Sequence, residues 1–185
     1  MGPETRSSAN TLDSVRASRA IGALFYGGFG GAWVGLWAWR RFPAHPVAFV
    51  LVAAVTCALM AFVYKRYRQY CAGLEPEQPT AASRRQDRWF HAINAGQWIV
   101  ILIAGNVLAN IGLSAWVIPA VMFIVGLHFV PLARLFGNPK HFVTGGALML
   151  LAAAYPFAAP AGPSDPSGAL GAGLILWASA LWAVL

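Results

Sequence analysis

The stretch whose reading decides the fold is Trp89–Arg134, WFHAINAGQWIVILIAGNVLANIGLSAWVIPAVMFIVGLHFVPLAR. It contains two apolar runs long enough to cross a bilayer, with no charged residue at the bend around Gly112 and Ser114. The first run nevertheless carries His91, Asn94, Gln97, Asn106 and Asn110, and the second carries His128, with Pro131 and Arg134 close behind. A polar side chain in hydrocarbon is costly unless another helix, water or a ligand satisfies it. The two runs therefore read as a tight antiparallel pair at the centre of a helical membrane bundle.

Composition outside this stretch agrees. The chain of 185 residues is 58% hydrophobic and only 10% charged, whereas soluble domains carry roughly 25% charged residues. All six acids (Glu4, Asp13, Glu75, Glu77, Asp87 and Asp165) fall outside the apolar runs. The expected fold is all-α, an integral membrane bundle of about six spans at 20–39, 46–64, 89–111, 113–133, 142–159 and 169–185, behind a polar N-terminal tail at 1–18. The first run is too long for a signal peptide and ends in Arg40-Arg41 rather than a cleavage site, so it is retained as a helix. Pro160–Gly168 reads as an external loop.

The formal charge of +7 would suggest nucleic acid in a soluble protein. Here basic loops on the cytoplasmic side explain it, and no nucleic-acid partner is expected. With the N-terminus inside, eleven of the thirteen Lys and Arg fall on the cytoplasmic side, leaving only Arg40 and Arg41 opposite. Both termini and the Lys65–Arg88 loop are then cytoplasmic, in a bacterial inner membrane. The basic ends of that loop suit topology determination or contact with anionic lipid headgroups. Cys57 lies in the second span and Cys71 in the reducing cytoplasm, so no disulfide is expected.

The first span has Gly27, Gly31 and Gly35 at four-residue spacing, a stripe where another helix can approach closely. It serves either packing within the monomer or a seam in a homo-oligomer or larger membrane complex. Thr56, in the second span, can return its hydroxyl to its own helix.

The polar set on the third and fourth spans is the candidate ligand-binding site. Asn94 lies about 9 Å in from Arg88, and His128 about 9 Å in from Arg134. As antiparallel neighbours they should share one layer, joined by Tyr26 and Thr144. Asn106, Asn110 and Tyr155 should form a second layer. Asn94 and Gln97 point away from Asn106 and Asn110, so the third span should be the most enclosed helix, and His128 should face the bundle interior within reach of a polar group on the third span, a water or a ligand. Pro131 removes the usual donor to the Leu127 carbonyl, opening the helix beside His128.

The run GLHFVPLARLFGNPKHFVTGGALML, Gly126–Leu150, resembles segments of small uncharacterised multi-spanning bacterial membrane proteins, chiefly in Gly126, His128, Phe129, Pro131, Leu132, Ala133, Thr144 and Gly145. The resemblance implies no particular activity.

No CxxC, HExxH, GxSxG or phosphate-binding loop is present, and no metal site is expected. No span contains an acid to bind a coupling cation, which disfavours a cation pump or proton antiporter. A transporter or channel for a small neutral or weakly anionic solute is the expected function. A non-catalytic membrane subunit or scaffold is the alternative, and a membrane enzyme using His128 on a lipid or quinone is the second. Haem held by His91 and His128 is disfavoured, because the two differ in depth; no cofactor is expected. Membrane lipids are the expected surroundings.

Overall fold

The computed structural model describes residues 3–71 and 80–185, with side chains from residue 12 onward, and among these every regular element is helical. Six helices are long and apolar enough to cross a membrane. They are α1 (Pro3–Arg41), α2 (Pro46–Cys71), α3 (Ala81–Asn110), α4 (Val117–Leu135), α5 (Lys140–Ala158) and α6 (Ser167–Val184). Residues 72–79, which hold Pro76, Pro79 and two of the acids, lie outside the described residues.

Several helices overrun the apolar spans read from sequence. From Pro3 onward the polar N-terminal stretch belongs to α1, α2 continues past Tyr64 to Cys71, and α3 begins at Ala81 rather than Trp89. Hydropathy marks where lipid ends, whereas a helix continues until a cap or breaker stops it. The Lys, Arg, Gln and Ala of these extensions are good helix formers. For α3 the stop is Thr80, whose hydroxyl oxygen accepts from the Ser83 N–H while the Ser83 hydroxyl donates to the Thr80 carbonyl.

The tight turns rest on two glycines with left-handed backbone, Gly112 at φ 79° and Gly137 at φ 58°. Past each, the chain bonds back into the helix it leaves, Leu113 N–H to Leu108 O at 2.8 Å and Asn138 N–H to Ala133 O at 3.0 Å. Asn138 Oδ1 then accepts from the Lys140 N–H at 3.2 Å at the start of α5.

The chain divides into two compact units, one of residues 1–78 with 176–185 and one of residues 79–175. In the first, α1 and α2 pack antiparallel. A Cβ on Gly31 would lie 2.5 Å from Thr56 Cγ2, and one on Gly27 would lie 3.4 Å from Met60 Cγ, while Gly35 has open space. The stripe therefore faces α2 at Gly27 and Gly31. Thr56 donates to Val52 O at 2.7 Å, within its own helix. Later in the chain, Trp177 Nε1–H donates to Gly27 O at 3.2 Å and the Tyr70 hydroxyl to Val184 O at 3.4 Å.

In the second unit, α3 runs antiparallel to α4, joined where Gln86 Nε2 donates to Leu135 O at 3.0 Å. The α4–α5 pair buries Met122, Phe129, Leu132, Leu148 and Tyr155. The first turns of α6 come against α5 through small residues: Gly168 lies against the Tyr155 ring and Gly171 against Leu151. The 160–168 segment is ordered by Asp165, whose carboxylate accepts from the Ser167 and Ala161 N–H groups at 2.9 and 3.3 Å.

Candidate functional site

His128 projects from α4 beside the helix's only internal proline, Pro131. Both its ring nitrogens are buried and neither has a hydrogen-bond partner. A neutral imidazole offers one donor and one acceptor, and leaving them unmet in a packed interior costs of order 1–3 kcal/mol each. Of the three partners expected from sequence, a polar group of the third span does not reach it, which leaves a water or a ligand.

The amides explain why. Asn94, half-buried, donates its Nδ2 to Phe90 O at 2.9 Å, four residues back on its own helix. Asn110 donates to both the carbonyl and the side-chain oxygen of Asn106, at 2.8 and 2.9 Å. Local bonds of this kind satisfy a polar side chain without an enclosing neighbour. The third span is accordingly the opposite of enclosed: α3 buries no residue, and His91, Asn106 and Asn110 are exposed. Gln97 is half-buried. Enclosure was inferred from polarity alone, and in-helix bonding removes the premise.

The layers are partly realised. The contacts of Gln86 with Leu135 and of Phe90 with Phe136 set a register that brings Asn94 level with His128 on α4. Level is all they share, since Asn94 turns to its own backbone. Thr144 is buried and donates to Lys140 O at 3.2 Å. The Tyr155 hydroxyl donates to Pro163 O at 3.1 Å. Tyr26 is buried in the first unit.

His128 stands at one end of a chain of rings. His128 meets Phe129 at 5.4 Å between centroids, and Phe129 stacks on His141 of α5 at 6.0 Å with only 13° between planes. His141 meets Phe136 at 6.3 Å, Phe136 meets Phe90 of α3 at 5.8 Å, and Phe90 meets His91 at 5.7 Å. Aromatic pairs at these separations contribute about 0.5–1.5 kcal/mol beyond area burial. The series ties α3, α4 and α5 together at one end of the unit, and four rings separate His91 from His128. His141 Nε2 also lies 3.5 Å from Asn138 Nδ2.

Beneath the rings, Gly126 of α4 and Gly145 of α5 sit backbone to backbone. Sequence reasoning singled out His128 and the amides, but missed the ring series and this glycine pair. The signal was present: Phe129 and Phe136 are seven residues apart on one helical stripe, and a glycine lies two residues before His128. Among the described residues no group of three or more His, Cys, Asp or Glu comes together in metal-binding proximity.

Comparison with known protein families, with curated proteins and with solved structures finds no match to this chain.

Proposed function

We propose that the chain crosses a bacterial inner membrane six times, with both termini and the Lys65–Arg88 loop in the cytoplasm, and passes a small neutral or weakly anionic solute by way of a site at His128. One observation carries this reading. The two His128 nitrogens are buried and unpartnered beside the Phe129 ring, an arrangement that a hydrogen-bonding solute would complete. The lack of carboxylates in the apolar spans argues for a solute without positive charge. The orientation rests on the bias of Lys and Arg.

A second reading, a non-catalytic membrane subunit, has its own support. No residue of α3 is fully buried, and its amides bond locally, which suits a helix that packs against another protein.

Proteoliposomes separate the two. Stopped-flow light scattering with urea, glycerol and acetate should show at least one solute entering faster than into protein-free vesicles, with the gain lost in His128→Leu. Equal rates with and without protein for all three would favour the subunit.

A further inference from the structure

We infer that one face of the α1–α2 pair seats an anionic phospholipid, with an acyl chain in an apolar groove and the headgroup on the basic residues above it. The groove holds about 450 Å³ and is lined by Ile21, Phe25, Gly28, Phe29 and Ala32 of α1 and Met60 of α2. Its floor exists because Gly28 has no side chain: a Cβ there would meet nothing within 4 Å. From Ile21 to Ala32 it runs about 16 Å along the helix. That is close to half of the roughly 30 Å hydrocarbon core, the depth of one leaflet.

The charges lie at the correct end. Gly31 opposite Thr56, Gly27 opposite Met60 and Arg16 opposite Tyr70 fix the antiparallel register of the pair. That register brings Arg68 level with residue 19, two residues or about 3 Å beyond the Ile21 end of the groove, and Lys65 level with Gly22. Two other cations here are already engaged: Arg16 with Asp13 at 3.4 Å and with the Tyr70 ring, and Arg66 over the Phe62 ring at 5.5 Å. Lys65 and Arg68 of α2 are exposed and make no ion pair with any described residue. Tyr64, half exposed and level with Ala23 at this end of the groove, is the residue type that favours the headgroup boundary.

Charge selects the occupant. A second copy of the chain related by a two-fold axis would bring the same cations face to face. A phosphate headgroup complements them, and each Lys or Arg near such a surface strengthens binding about fivefold. Unlike a free phosphate, a lipid also fills the groove.

Native mass spectrometry from a neutral detergent tests this, with dioleoyl phosphatidylglycerol, dioleoyl phosphatidylcholine and inorganic phosphate titrated separately. One phosphatidylglycerol should be retained in preference to phosphatidylcholine. The Lys65→Gln/Arg68→Gln variant should bind it about 30-fold more weakly. Gly28→Leu, which fills the groove in open space, should also release it while melting as wild type does. Arg40→Gln/Arg41→Gln, at the other end of the pair, should bind normally. Equal retention of phosphatidylcholine would overturn the proposal, as would undiminished binding by Gly28→Leu or capture of phosphate alone. A lipid-free dimer would replace it with a seam between copies.

Discussion

Gly126 and Gly145 face each other across α4 and α5 with no room for a methyl group. A Cβ on Gly126 would lie 2.8 Å from the Gly145 carbonyl oxygen, and one on Gly145 would lie 2.5 Å from that of Gly126. Backbone cannot swing aside as a flexible side chain can, so a methyl group must push the helices apart. Gly126→Ala or Gly145→Ala should therefore destabilise by about 1–3 kcal/mol in detergent unfolding. Gly146→Ala and Gly105→Ala, where a Cβ meets nothing within 4 Å, should be neutral or stabilise by up to about 1 kcal/mol. Identical melting of Gly126→Ala and Gly146→Ala would count against the close approach.

The glycines of α1 divide in the same way. Gly31 abuts Thr56, whose hydroxyl is tied to Val52 O and whose β-branched side chain has little freedom to move. Gly31→Leu should unfold the protein in detergent. Gly35→Leu enters open space and should leave the monomer folded. Size-exclusion profiles of the two variants read this directly; a folded Gly31→Leu monomer would move the stripe to an oligomer seam.

How far the sequence led depends on which property carried the information. Apolar runs bounded by Arg40-Arg41, Lys65 and Arg134 located the spans because lipid sets a length and excludes charge. The ends of α2 and α3 were not legible from hydropathy, since Thr80 and local helix propensity decide them. His128 was legible as a polar group at membrane depth. Its isolation was not, because whether Asn94 bonds sideways or back to Phe90 depends on a rotamer rather than on residue type. The Gly126–Gly145 contact needs the pairing of two helices, which a single sequence does not display.

Orientation has its own test. Single cysteines at Ser83, near the start of α3, and Ser164, between α5 and α6, sit on opposite sides in the proposed arrangement. In intact cells, after Cys57 and Cys71 are replaced, a membrane-impermeant maleimide should label Ser164→Cys and spare Ser83→Cys. Labelling of Ser83→Cys from outside would reverse the proposed orientation.

His128 and His141 give the sharpest contrast, since they are two imidazoles in one ring series with different polar surroundings. His141 stacks on Phe129 and lies beside Asn138, so His141→Leu should cost about 1 kcal/mol or more. His128 has two buried nitrogens and nothing bonded to them. Replacing such a group with an apolar one of similar size removes an unmet demand. His128→Leu should therefore be neutral or raise stability by up to about 1–3 kcal/mol, even as any solute flux disappears. A residue that weakens the fold yet is needed for transport is what a binding role requires, since structural glue would weaken the protein when removed. Thermal unfolding of both variants, beside the proteoliposome rates, decides the matter. Destabilisation by His128→Leu as large as that of His141→Leu would place both side chains in the packing of the helices and leave the membrane-subunit reading in its place.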